Sequence, residues 1–292
     1  NIDNKRINGI GNTYDFNHDK FLPTNYTYNS FNQVKEQKTA DGGVTRFWYD
    51  RLGRNILSQN AEQKISKKFT YTLLDDLGRI LEFGELTKTV TNNSYNYIDD
   101  ICKSKSQWDN FVLTSQKKQI TTILYDIASD ISSNFHNGQH NLRNKISGTT
   151  IDHNGDGKYE HGTFYSYDIA GNVKEIIQHN DHIDVPLDHR FKSIIYEYDL
   201  LSGKVHYIHY QDGKDDSFHH EYVYDDENRL IEVLTSLDKV IWKNDAKYFY
   251  YEHGPLARIE LGDDNLQGVD YAYNIQGWIK GVNSVALNPN KD

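Results

Sequence analysis

The stretch Asp152-His153-Asn154-Gly155-Asp156-Gly157-Lys158-Tyr159-Glu160 sets three oxygen-bearing side chains at alternate positions. Asp152, Asn154 and Asp156, with a glycine at the sixth place and the Lys158 carbonyl at the seventh, match the first half of a calcium loop. The twelfth place, where a bidentate glutamate belongs, is Thr163, and the flanks read as strands rather than helices. The same letters also spell a hairpin turn, because Asn-Gly and Asp-Gly are the strongest short turn signals. Two readings therefore stand: calcium held by Asp152, Asn154 and Asp156, or a plain turn. No other cofactor is expected.

The remaining candidate groups point away from catalysis. On a strand, His206 and His209 project to opposite faces, as do His219 and His220, which suits shared ligation poorly. His179, His182 and His189 lie among Asp181, Asp184 and Asp188, in what reads as a surface loop without zinc spacing. Cys102 is the lone cysteine, with no nucleophile signature around it, and no Gly-x-Ser-x-Gly elbow occurs. Acidic pairs such as Asp215-Asp216 and Asp263-Asp264 fall in turns where solvent screens them. No catalytic residue is assigned, and the chain is not expected to be an enzyme.

What positions these residues is a repeated phrase: aromatic-x-Tyr-Asp, then three positions on Gly or Asn, followed by a polar or basic residue. It stands at Tyr49-Asp50 with Gly53-Arg54, at Tyr167-Asp168 with Gly171, and at Tyr224-Asp225 with Asn228-Arg229. Tyr198-Asp199 carries its Gly203 one residue late, and Asp75 with Gly78-Arg79 lacks the tyrosine. Weaker copies are Tyr26-Thr27-Tyr28-Asn29 and Tyr271-Ala272-Tyr273-Asn274. Tyr-x-Tyr puts two rings on one face of a strand. The aspartate accepts from a backbone N–H and starts a turn, and Gly or Asn tolerates the positive φ that closes it. Each phrase is thus a β-hairpin.

Successive copies lie about one hairpin apart: Asp50 and Asp75 are separated by 25 residues and Asp199 and Asp225 by 26. An isolated hairpin is marginal in water, so such units must pair edge to edge. The expected fold is all-β, an array of antiparallel hairpins forming part of a large curved sheet. The array runs over 1–292 as a single domain, with a less regular insertion at about 86–147. Within the insertion, Gln107–Leu113 reads as a short helix that packs its aromatic pair on the sheet, while Asn92-Asn93-Ser94 and Lys103–Ser106 read as loops. Asn60-Ala61-Glu62-Gln63 reads as a bend. Gly254-Pro255 belongs at an edge or bulge, because proline has no N–H to give a ladder.

The phrases YDRLGR, YDIAGN and YDDENR resemble the YD repeats of the RHS (rearrangement hot spot) family. The stretch from Ala246 to Ser284 is similar to the branch of that family found in Bacteroidota. The resemblance runs from about Tyr26 to Ser284. It implies a wall segment of an RHS-type β-shell that encapsulates a C-terminal toxin or effector of a secreted bacterial protein. The implied partners are the remainder of the same polypeptide and its toxin cargo, with secretion machinery of the type nine pathway. The same family contains cell-surface proteins, so an adhesion or carbohydrate-binding surface is the second reading. That reading draws on the recurrent Tyr28, Tyr49, Tyr167, Tyr198, Tyr224, Tyr251 and Tyr273, since exposed aromatic ladders also bind sugars.

Composition agrees with these expectations. Thirty-two Lys and Arg against 42 Asp and Glu give a net charge of −10, which argues against nucleic-acid binding. No run of 18 apolar residues occurs, so no helix is expected to insert in a membrane. Twenty-two tyrosines and four prolines in 292 residues suit strands with one wet face. With no methionine anywhere, the opening Asn1-Ile2-Asp3 included, the chain reads as an internal piece of a longer polypeptide, and the resemblance implies that this polypeptide is secreted or at the cell surface.

Overall fold

The computed structural model describes residues 5–7, 13–15, 23–89, 95–181 and 189–283. The Asn92–Ser94 loop, His182, Asp184 and Asp188 lie outside them. The chain divides into two compact units, Asn1–Thr122 with Asp152–Lys158, and Ile123–Ile151 with Tyr159–Asp292. Both are built from the same hairpin.

In the first unit, β1 (Lys5–Ile7) and β2 (Thr13–Asp15) pair antiparallel. The repeat array begins with β3 (Asn25–Tyr28), β4 (Val34–Thr39), β5 (Gly43–Tyr49) and β6 (Asn55–Gln59). It continues through β7 (Lys68–Leu74), β8 (Ile80–Thr87) and β9 (Gln116–Tyr125), which passes into the second unit after Thr122. Each strand pairs antiparallel with the next. The cross-strand partners Trp48, Leu57 and Tyr71, with Phe69 beside Leu86, build one apolar face on this sheet.

Two helices cover that face. In α2 (Tyr95–Lys103) the buried Ile98, Ile101 and Cys102 fall at i, i+3 and i+4. In α3 (Lys105–Leu113) Trp108, Phe111 and Val112 repeat the spacing. That spacing makes one apolar stripe per helix, and both stripes enter the same core as the sheet. The expected aromatic helix at 107–113 is therefore present, two residues longer at its start. Residues 103–106 are not a loop. Ser104 alone separates the helices, and its carbonyl accepts from the Trp108 N–H at 2.8 Å. Nor is 60–63 a simple bend. Asn60 caps α1 (Ala61–Ser66), its side chain accepting from the Gln63 N–H while Gln63 reaches back to the Asn60 N–H.

The second unit carries β10 (Ile146–Asp152), β11 (His161–Tyr167), β12 (Val173–Asn180), β13 (Phe191–Tyr198), β14 (Val205–Tyr210) and β15 (Phe218–Tyr224). After them come β16 (Leu230–Ser236), β17 (Lys243–Tyr250), β18 (Leu256–Leu261), β19 (Gln267–Tyr273) and β20 (Ile279–Val282). Neighbours in the chain are again antiparallel neighbours in the sheet. Phe164 and Ile177 form a small core with Ile131 and Phe135 from the segment before β10.

The fold is all-β, with antiparallel hairpins throughout and few helices, as the repeat phrase requires. Within the stretch 86–147, β9 pairs antiparallel with β8 from Glu82↔Thr122 to Thr87↔Gln116, with a register shift between Phe83 and Glu85. Among the described residues no helix is long and apolar enough to cross a membrane.

Candidate functional site: the repeat latch

The repeated residues converge on one local device. At the first strong copy, Asp50 N–H donates to the Arg54 carbonyl (2.9 Å) and Gly53 N–H returns to the Asp50 carbonyl (3.1 Å). The Asp50 carboxylate accepts from the Leu52 and Arg54 N–H groups on Oδ1 (2.9 and 2.8 Å) and from Arg54 Nε on Oδ2 (2.6 Å). Gly53 sits at φ +82°, a conformation glycine adopts without strain. Pairing slips by one residue between Trp48 and Tyr49, so the tip is a turn closed by a bulge.

The other copies reproduce these contacts. Asp75 holds Arg79 through its N–H (2.8 Å) and Nε (2.7 Å), with Gly78 at φ +86°. Asp225 holds Arg229 in the same two ways (2.8 and 2.7 Å), with Asn228 at φ +62°. Asp168 uses Asn172 instead, through N–H (2.8 Å) and Nδ2 (3.0 Å), with Gly171 at φ +98°. Asp199 closes a turn one residue longer, as its late Gly203 requires. Gly203 N–H reaches the Asp199 carbonyl at 2.9 Å, and the side chain accepts from Ser202 N–H at 2.7 Å.

At Asp75, Asp168, Asp199 and Asp225 these bonds favour the ionised carboxylate. Desolvation pulls the Asp75, Asp168 and Asp225 pKa values up, but the hydrogen bonds from Arg79, Asn172 and Arg229 outweigh it and leave each below the usual range. For Asp199 the Ser202 N–H is the leading cause of the same downward shift.

The tyrosine has a separate task. Tyr49 donates its hydroxyl to the Val34 carbonyl (2.9 Å), Tyr167 to Ile146 (2.8 Å) and Tyr198 to Val173 (2.8 Å). Tyr224 donates to Val205 (3.1 Å) and Tyr250 to Leu230 (2.8 Å). In every case the acceptor is the first residue after the preceding turn, so each of these five hairpins is latched to the one before it. Partial burial raises the pKa of all five phenols. At two of the latches the cation that ends the preceding turn covers the ring: Lys145 Nζ lies 4.3 Å from the Tyr167 centroid and the Arg229 guanidinium 4.7 Å from that of Tyr250.

The last latch corrects one assignment. Tyr251, expected to be the repeat tyrosine, occupies the aspartate place: its N–H donates to the Pro255 carbonyl and Gly254 N–H returns to its own, each at 2.9 Å. Tyr250 is the latch. The expected bulge at Gly254-Pro255 appears as the register slip between Phe249 and Tyr250. One further copy was not recognised as such. Asp126 N–H donates to the Lys145 carbonyl (3.2 Å) and Asp126 Oδ1 accepts from Asn144 N–H (2.5 Å), so residues 127–144 are an expanded hairpin tip.

In the calcium-like loop, Asp152 spends its carboxylate on the main chain, Oδ1 on Gly155 N–H (2.6 Å) and Oδ2 on Gly157 N–H (2.9 Å). Asp156 Oδ1 accepts from Lys158 N–H at 2.9 Å. A cation held by Asp152, Asn154 and Asp156 would compete with those N–H groups for the same oxygens. Among the described residues no group of three or more His, Cys, Asp or Glu is placed to hold a metal.

The histidines are distributed differently from the sequence reading. His179 is not in a loop but on β12, its ring stacked on Phe191 at 4.4 Å. His209 is buried and the His206 side chain is 44% exposed, in line with opposite faces. The histidines that do meet, His209 and His219, lie on neighbouring strands. Cys102 is buried in the core of the first unit, and desolvation pushes its thiol up to about 12.

No family model and no curated protein matches the sequence. Solved structures match the fold. A crystal structure of TcdB2-TccC3 without its hypervariable C-terminal region superposes with TM-score 0.59 at 14% identity, over 89% of this chain. The Photorhabdus luminescens Tc holotoxin pore gives 0.58 at 14% identity over 89%. The fold is RHS-like. This chain spans 11% of the length of either neighbour.

Proposed function

We propose that this chain is a non-catalytic wall segment of an RHS-type β-shell, one that encloses a C-terminal toxin or effector of a secreted bacterial protein. The carrying observation is the latch. The aspartates are engaged in closing turns and the tyrosine hydroxyls in fastening one hairpin to the next. Groups with chemical capacity are thus committed to continuity of the sheet. The fold match to much longer Tc toxin chains supports the same reading. In that role the partners are the rest of the polypeptide and its cargo, and the location is outside the cell.

Limited proteolysis of the full polypeptide that contains this chain tests the proposal. A segment C-terminal to the array should resist digestion while the sheet is intact and be cut at least about tenfold faster once mild denaturant opens it. Equal cleavage rates in the two states would remove the container reading.

An adhesive, glycan-binding surface is kept as a second reading on one observation. Tyr26 and Tyr28 are 47% and 55% exposed, with ring centroids 6.5 Å apart, a platform on which a sugar could stack. Binding to a glycan array that is lost in Tyr28→Ala would favour it over the container.

A further inference from the structure

His209 on β14 and His219 on β15 are direct cross-strand partners. Both are buried, at 6% and 2% exposure, and their Nδ1 atoms approach to 3.0 Å. At that distance one nitrogen must carry the hydrogen and the other must present a lone pair, so at least one ring is neutral while the contact exists. Two imidazolium rings would set two N–H groups against each other at the same point.

The charged surroundings leave such a pair little relief. Glu197 on β13 places Oε1 3.4 Å from His209 Nε2, but its own side chain is 58% exposed. Asp212, in the turn after β14, is engaged by Lys239 from the turn after β16 at 2.8 Å. Asp238 accepts from the Ser236 hydroxyl (3.1 Å) and from the Val240 and Ile241 N–H groups (2.9 Å each). Glu221, two residues along β15, accepts from the Tyr207 hydroxyl at 2.9 Å. On β16, the residue opposite His219 is the uncharged Ser236.

We propose that the His209–His219 contact is a proton-responsive joint: with one shared hydrogen it fastens β14 to β15, and a second proton on the pair opens that ladder. The joint operates in the sheet itself, whatever the sheet encloses. Burial lowers the pKa of both imidazoles; Lys239 adds to the effect at His209, and His209 itself and then Lys239 add to it at His219. The folded state thus favours neutral rings, while the unfolded chain protonates at ~6.5. The pair's contribution is therefore complete above that pH and is lost as pH falls through the lower folded values.

The test follows the histidine Cε1–H resonances of the chain from about pH 8 to 4, together with amide exchange. Two coupled protonation steps below the ordinary imidazole range are expected. Protection of the Tyr207–Tyr210 and Phe218–Glu221 amides should fall at least about tenfold between roughly pH 7 and 5, while the β11–β12 amides keep theirs. His219→Gln, which retains an acceptor for His209, should abolish that fall, whereas His220→Gln should leave it intact. If His219→Gln does not fold, His209→Gln and the wild-type resonances decide alone. Independent titration near the ordinary value, or an undiminished fall in the variant, overturns the joint.

Discussion

The Tyr198 hydroxyl donates to the Val173 carbonyl across 2.8 Å, tying the start of one hairpin's second strand to the end of the next hairpin's first. Removing that hydroxyl leaves a part-buried carbonyl with one partner fewer, a change that costs about 0.5–1.5 kcal/mol. Tyr198→Phe should therefore lower the denaturation midpoint by that equivalent. Tyr196→Phe, whose ring stacks 6.4 Å from that of Tyr198 on the same face, should stay within about 0.5 kcal/mol of wild type. Equal losses in the two variants would deny the latch its role.

Acid should loosen the tips closed by Asp75, Asp168, Asp199 and Asp225 before a tip that carries asparagine. The Asp75, Asp168, Asp199 and Asp225 pKa values lie below the ordinary range in the folded chain. The stability they confer is present above the unfolded value of ~3.9 and lost as pH falls through the folded ones. At the β19–β20 tip Asn274 takes the aspartate place, accepting from the Gln276 and Trp278 N–H groups at 3.0 and 2.9 Å. An amide does not titrate there. Amide exchange below about pH 4 should show the Asp225 tip opening and the Asn274 tip unchanged, and Asp225→Asn should remove the difference.

The loop at 152–158 distinguishes steric from conformational cost. A Cβ on Gly155 (φ +77°) would lie 1.9 Å from the Lys117 carbonyl oxygen, whereas one on Gly157 (φ +85°) meets nothing within 4 Å. Gly157→Ala should cost only the left-handed penalty, about 1–2 kcal/mol. Gly155→Ala should cost more, because Lys117 on β9 must also move, and chemical denaturation of both variants measures the gap. Since Asp152 already serves Gly155 and Gly157, melting in millimolar calcium and in chelator should coincide; a calcium-dependent rise lost in Asp156→Ala would favour the metal reading instead.

Cys102 should report on the helical cover of the first unit. With its thiol buried and its pKa pushed up to about 12, almost no thiolate exists near neutrality. A disulfide reagent at about pH 8 should react only as the α2–α3 cover opens. Trp108→Ala, which empties part of that core at a cost of about 3–5 kcal/mol, should speed labelling by at least about a hundredfold. Immediate reaction in the wild type would contradict the packing.

The hairpins were legible because their cause is local: Asp50, Gly53 and Arg54 complete the turn among themselves. The latch was not, because its acceptor lies some 20 residues away and is a main-chain carbonyl, which carries no letter of its own. Tyr251 was misassigned because two tyrosines adjoin and the second stands where aspartate usually does. The helix at Ala61–Ser66 left a readable sign in Asn60 and Gln63, a cap and its N3 partner. The stripe Ile98, Ile101, Cys102 was readable as well. The meeting of His209 with His219 depends on the length of the turn between β14 and β15, so alternation along either strand alone could not reveal it.

Every latch from Tyr49 to Tyr250 points toward the N-terminus, to a carbonyl already laid down when the tyrosine is made. A nascent hairpin leaving the ribosome therefore finds its anchor waiting and needs nothing still untranslated. Growth of the sheet is directional, each new ribbon secured against the finished edge, and a stalled chain would leave a properly fastened partial sheet rather than an unanchored one.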